Sequence, residues 1–170
     1  MKTIIVAEQA PFPVSNILVR FCEEYGGALI SSPGKCFSTC ADPIYNIILT
    51  DGSAKISLPG STVIFAEDNY DNFNIDLSGC TAVINRYDFN ALRIAEHYGC
   101  TAMICSISGN DTLTISSSDD DSCLISLNRS IKTPRGITEP CEYIFRRFND
   151  APDEIILSCG AALLCCGTRL

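Results

Sequence analysis

TAVINRYDFNALRIAEHYGCTAMICS, residues 81–106, is the stretch whose reading decides the fold. It opens on an apolar run, TAVIN, passes through YDFNALRIAEHYG, whose apolar residues recur at helical spacing, and closes on a second apolar run, TAMICS. Two short strands joined by one helix with almost no slack require a right-handed crossover, because only that hand returns the helix onto the sheet it left. The two strands are therefore parallel neighbours in an α/β sheet.

Upstream, Thr3 to Ala7 reads as a β-branched strand that the segment APFP interrupts. Ser15 then suits the cap of a helix from Asn16 to Tyr25, with Ile17, Leu18, Phe21 and Cys22 as its apolar stripe and Gly26–Gly27 as its stop. Gly27 to Ser31 is a second strand, and the turn formers from Ser32 to Pro43 read as a loop. Ile44 to Thr50 is a third strand, and AKISL (54–58) pairs back across the turn Asp51–Gly52. TVIFA (62–66) is a buried strand, followed by a polar surface loop, EDNYDNFNIDLSG (67–79).

Downstream the period changes. Asp111 to Ser117 and Cys123 to Lys132 alternate apolar and polar residues, with the acidic tip Asp119–Asp120–Asp121 between them, as an antiparallel hairpin with one wet face requires. Cys141 to Phe145 adds a further strand. Pro152 fits the first turn of a final helix, EIILSCGAALLCC, where Asp153 and Glu154 suit the helix dipole. That helix is apolar nearly all round, so it is either deeply buried or covered by a partner. The expected architecture is one three-layer α/β domain over residues 1–170. Its sheet is largely parallel and Rossmann-like, about five strands wide, with an antiparallel extension.

With 46% apolar and 19% charged residues, the chain is composed as a folded domain. Its net charge of −8 repels nucleic-acid backbones and anionic membrane surfaces, and Arg146–Arg147 is its only adjacent basic pair. No apolar run approaches the ~18 residues of a membrane span. The opening MKTIIVAEQAPFP meets Glu8 and two prolines too soon for a signal peptide. The eleven cysteines mostly sit within apolar strands and helices, and Cys36-x-x-x-Cys40 and Cys165–Cys166 lack zinc-ligand companions. They read as small hydrophobes in a reducing compartment, so a cytoplasmic protein is expected.

Motifs for chemistry are sparse. Neither G-x-x-x-x-G-K-[ST] nor G-x-G-x-x-G occurs; Ser32–Pro33–Gly34–Lys35 and Ser108–Gly109–Asn110 offer one glycine each, too few amides for a phosphate nest. No motif names a cofactor. His97, the only histidine, suits the C-terminal end of its helix better than a catalytic role. Cys36, next to Lys35, is the only cysteine with a basic neighbour to activate it. Glu67, Asp68 and Asp71 follow TVIFA at the carboxyl end of a strand, where α/β sheets hold their ligands. Asn85, Arg86 and Asp88 occupy the same place after TAVIN, Arg86 as an anion binder and Asp88 as the cap of the following helix.

From about residue 81 to 167, the order of elements resembles the later part of the central domain of Mur ligases, the ATP-dependent amide-forming enzymes of cell-wall synthesis. VINRYD echoes their strand-ending Asn-x-Asp-Asp motif, and the strand AMICSI, the alternating strands and the final apolar helix follow in the same order. The resemblance implies a position near an adenine for Asn85 and places the motif's second aspartate on Asp88. The family's Gly-Lys-Thr phosphate loop is absent, and nothing here matches its magnesium-binding histidine and glutamate region or its C-terminal domain. A relative without ATP chemistry would be a binding or regulatory domain.

The expected function is accordingly a non-catalytic domain that binds a small ligand or a protein partner in the crevice fed by Glu67, Asp68, Asn85, Arg86 and Asp88. Self-association through the final helix is compatible with its apolar surface. The alternative is a metal-assisted hydrolase or transferase whose carboxylates come from different loops and so leave no spacing signature.

Overall fold

Strand β1 (Lys2–Ala7) is the axis of the molecule: Ile4, Ile5, Val6 and Ala7 are all fully buried, two toward each face of the sheet. The computed structural model describes residues 1–9, 13–66, 70, 72–148 and 151–169. After β1 come helix α1 (Pro13–Glu24), β2 (Ala28–Ser32), β3 (Lys35–Ser38), β4 (Tyr45–Thr50) and the two-residue β5 (Ile56–Ser57). Then follow β6 (Thr62–Phe65), β7 (Ile75–Asp76), β8 (Thr81–Asn85), α2 (Phe89–Tyr98) and β9 (Thr101–Ser106). The last third holds β10 (Leu113–Ser118), β11 (Ser122–Leu127), β12 (Ile131–Thr133), β13 (Gly136–Thr138), β14 (Cys141–Arg146) and α3 (Asp153–Cys165).

Ten strands form one sheet in the order β14-β11-β10-β9-β8-β6-β1-β4-β2-β3. The seven from β10 to β2 run parallel, β1 pairing with β4 on one side (Ile4 opposite Ile47) and β6 on the other (Val6 opposite Ile64). The crossover deduced from residues 81–106 is present, with Val83 of β8 opposite Met103 of β9. The parallel part is wider than the expected five strands, and β11 and β14 extend it in antiparallel fashion.

The two faces carry separate cores. On one lie α1 and α3, packed on Ile4, Val6, Ile47, Ile64, Val83 and Met103. On the other, Ala91 and Ala95 of α2, with Tyr70, Ile75 and Leu77, cover Ile5, Val63, Phe65 and Ile84. The result is three layers. α3 is buried from Ile156 to Cys165 except at Ser158, against α1, β6 and the strands from β8 to β12, so its apolar circumference is covered within the chain. Each buried leucine or isoleucine there contributes ~1.5–3 kcal/mol. Among the described residues no helix is long and apolar enough to cross a membrane.

Several local expectations are corrected. α1 starts at Pro13 rather than Asn16, with Ser15 buried in its first turn: proline has the required φ and no amide to satisfy, so Ser15 is not needed as cap. The stretch 32–43 contains β3, an exposed edge strand paired with β2 (Ile30 opposite Phe37). The segment 54–58 makes no hairpin with β4; Ile56–Ser57 pairs in parallel with Ile75–Asp76. Within 67–79, Tyr70, Ile75 and Leu77 are core, because alternate apolar residues in a polar segment can still cap a sheet face. The run 123–132 breaks at Asn128, whose side chain donates to the Asp111 carbonyl and Thr114 Oγ1 at 2.9 Å each, so β12 pairs with β13 instead.

α3 crosses the antiparallel extension at Gly160, where a Cβ would lie 3.0 Å from Phe145 Cζ and 3.1 Å from Ile125 Cδ1. Gly160→Ala is expected to stay within about 1 kcal/mol of the parent, the ~1 kcal/mol gain in helix propensity offsetting the displaced side-chain tips. Gly160→Leu is expected to cost about 2–3 kcal/mol by overpacking, read as a lower urea midpoint at unchanged slope.

Candidate functional site

After β1 the chain moves to β2 and β4 on one side, then returns across β1 to β6 and β8 on the other. That reversal opens a crevice at the carboxyl ends of β1 and β6, the place where open α/β sheets receive ligands. A cavity of about 360 Å³ occupies this edge. Val14, Phe65, Ala66 and Ile155 form its apolar wall, and Asn85, Tyr87, Asp88, Glu154 and Ser158 supply polar groups.

Three helices begin at this cavity: α1 at Val14, α2 just after Asp88 and α3 at Glu154. A helix N-terminus offers unpaired amides and a positive dipole end, so each is an intrinsic anion seat. In this chain each is supplied with a carboxylate of its own. Glu8, directly after β1 and only 2% exposed, accepts from the Val14 amide at 2.6 Å and the Ser15 amide at 3.0 Å. Asp88 caps α2 by accepting from the Ala91 amide at 2.9 Å, and its other oxygen accepts from the Tyr70 hydroxyl at 3.3 Å. Asp153 and Glu154 occupy the first turn of α3, and Asp153 is ion-paired with Arg147.

The β1–α1 connection is where a nucleotide-binding sheet of this type cradles phosphate. Here Glu8 fills that seat. It was not among the expected site residues; its signal was a charged residue directly between an apolar strand and a helix start.

Of the expected residues, Asn85 and Asp88 line the crevice. Asn85 Oδ1 accepts from the Tyr87 amide at 3.0 Å, shaping the turn into α2, while its Nδ2 has no partner among the described residues. Arg86 is not part of the cavity lining. Its guanidinium is 2.8 Å from Asp111, a residue of the loop before β10. Burial alone would push the Asp111 carboxyl up, but hydrogen bonds from Ser106 and Arg86 and the Arg86 charge hold it below the ordinary carboxylate range. Glu67, Asp68 and Asp71 lie outside the described residues. Tyr87, within the same stretch as Asn85 and Asp88, also lines the cavity, and Glu154 and Ser158 do so without having been expected there, since nothing local in the sequence ties α3 to β8.

The remaining groups lie outside this crevice. His97 sits exposed in the last turn of α2, edge-on to Tyr98 at 5.3 Å. Asp119 accepts from the amides of Asp121 and Ser122 at 2.9 and 2.7 Å, which builds the hairpin turn and holds its carboxyl low. Cys36 and Lys35 are successive residues of a strand, so their side chains point to opposite faces and the lysine does not flank the thiol. All eleven cysteines are free thiols. Burial pushes Cys22, Cys105, Cys159 and Cys165 well up from the ordinary thiol value. Among the described residues no three histidine, cysteine or carboxylate side chains converge to hold a metal ion.

The fold is similar to that of two solved ligases. It matches UDP-N-acetylmuramoyl-L-alanyl-D-glutamate–2,6-diaminopimelate ligase over 98% of this chain and 43% of that one, with a TM-score of 0.53 and 9% identity. It matches the MurF ligase from Thermotoga maritima in complex with ADP over 96% of this chain and 44% of that one, with a TM-score of 0.50 and 9% identity. The likeness thus covers the first 80 residues as well as the part expected from the sequence, and the chain spans less than half the length of either ligase. No family model and no curated protein matches the sequence.

Glu8→Ala is expected to cost roughly 2–3 kcal/mol, because two buried amides lose a charged acceptor. Excess phosphate should restore part of that loss in the variant and not stabilise the parent to the same degree, measured by thermal unfolding of both. In the folded chain, iodoacetamide is expected to modify the exposed Cys36, Cys40 and Cys141 first, with Cys22, Cys105, Cys159 and Cys165 protected until unfolding, as mass spectrometry of the digested protein would report.

Proposed function

We propose that this chain is a non-catalytic binding domain on a Mur ligase-like fold, whose crevice takes a small ligand presenting amine or other hydrogen-bond donors in place of a nucleotide. The observation that carries this reading is the Glu8 carboxylate on the first-turn amides of α1, in the seat a phosphate would need. The lining supports it. Asp88 and Glu154 contribute acceptors, no lysine or arginine is among the described lining residues, and Arg86, which follows β8, is held by Asp111. A triphosphate entering here would meet like charge and find no counter-ion.

Asn85 offers its free Nδ2 and Asp88 a carboxylate within one cavity, so a ligand with both a donor and an acceptor can be oriented against the apolar wall of Phe65 and Ile155. Glu67 and Asp68, which follow β6 after Ala66, belong to the proposal through their place in the chain. They would add negative charge at the same strand end.

A thermal-shift screen of the reduced protein against amines, amino acids, nucleotides and divalent metals tests this. A ligand at ~100 times its dissociation constant adds about 2.7 kcal/mol. The expected result is stabilisation by an amine-bearing compound, lost in Asn85→Ala and weakened in Glu154→Gln, with no effect of magnesium ATP. Stabilisation by magnesium ATP that Asn85→Ala abolishes would overturn the proposal, and metal-dependent stabilisation would favour the metal-assisted hydrolase or transferase instead.

A further inference from the structure

On the opposite face of the sheet from α1 and α3, α2 together with Tyr70 and Phe73 borders a second, open cavity of about 490 Å³. Its wall is aromatic. Tyr70 and Phe73 stand perpendicular at 5.8 Å, and both rest on Phe65, at 5.1 and 5.2 Å. Those ring contacts pack the wall together, and Tyr98 continues it along α2.

The rim carries a guanidinium and an imidazole. Arg93 and His97 are four residues apart on α2, hence one above the other on the same helical stripe, and both line the cavity. The two ion pairs among the described residues, Arg86–Asp111 and Arg147–Asp153, involve neither of them. In a chain of net charge −8, an unpaired guanidinium beside an imidazole is the reverse of the carboxylate-lined crevice at the strand ends. Solvation alone accounts for an exposed arginine, but not for its place at the mouth of a cavity with a braced aromatic wall. An arginine fork engages a phosphate or carboxylate in two parallel hydrogen bonds, and a planar ring packs on tyrosine and phenylalanine. The volume lies within the range of small-ligand pockets.

We propose that this cavity binds a small aromatic anion, with its ring against Tyr70, Phe73 and Tyr98 and its phosphate or carboxylate on Arg93 and His97. The cavity shares no lining residue with the strand-end crevice, although Phe65 and the Tyr70–Asp88 hydrogen bond lie between the two.

The probes are phenyl phosphate and phenylacetate, titrated into the 170-residue isotope-labelled chain and followed by amide chemical shifts, with inorganic phosphate and phenol as half-ligands. The expected result is movement of α2 amides from residue 89 to 98, with at least one aromatic anion binding about tenfold tighter than either half-ligand. Which probe binds tighter distinguishes a phosphate from a carboxylate ligand. Arg93→Ala, at an exposed position, should weaken binding about tenfold without lowering the melting temperature; Phe73→Leu should weaken aromatic anions while leaving inorganic phosphate unaffected. Equal affinity for phenyl phosphate and inorganic phosphate, or an unchanged affinity in Arg93→Ala, would overturn the proposal.

Discussion

A helix without a polar face has to be covered on every side, and in this protein that requirement falls on the last element of the chain. α3 packs beside α1 on one face of the sheet, touching β6 and the strands from β8 to β12, so the larger of the two cores cannot close before residues 153–165 are in place. The antiparallel extension exists on the same terms. β11 and β14 turn Cys123, Ile125, Leu127 and Phe145 toward α3 and leave the alternate positions to solvent. Gly160 marks the closest approach, where the absence of a side chain lets Phe145 and Ile125 meet the helix backbone.

The burial of α3 also arranges the electrostatics. Seating its first turn beside α1 and α2 gathers three positive helix ends around one small cavity, which would attract an anion if left bare. Glu8, Asp88 and the Asp153–Glu154 pair neutralise them from within. Glu8 is the most constrained of these, being buried and bonded to two amides beyond the end of its own strand. A fold similar to that of two ligases at 9% identity, one of them solved in complex with ADP, thus carries an internal carboxylate at the amides of its first helix.

Much of this was legible in the sequence wherever a signal was local. TAVIN, the amphipathic helix and TAMICS were long and regular enough to fix a crossover, and the all-apolar EIILSCGAALLCC announced its own burial. Asp88 was legible as a cap because the helix it serves starts one residue later. The failures share a physical cause, namely partners distant in sequence. β3 depends on β2 for its edge pairing, and β5 and β7 are two-residue strands that exist only by pairing with each other. Arg86 finds Asp111 twenty-five residues away, and Glu154 reaches the crevice only because α3 packs on β8. Glu8 was visible only as a charge that ends a strand, since the amides it serves belong to backbone and have no sequence signature.

The sheet is open at both margins. β3 is exposed along its whole length and presents Phe37, and β14 presents Ile144, so each border strand has one row of backbone amides and carbonyls facing water next to an exposed apolar side chain. Such borders are templates for adding foreign strands, and proteins blunt them with charge. Lys35 at the head of β3, and Glu142 and Arg146 along β14, are placed to do so. The charge that blunts these two borders is thus carried by a handful of exposed side chains that no part of the core requires.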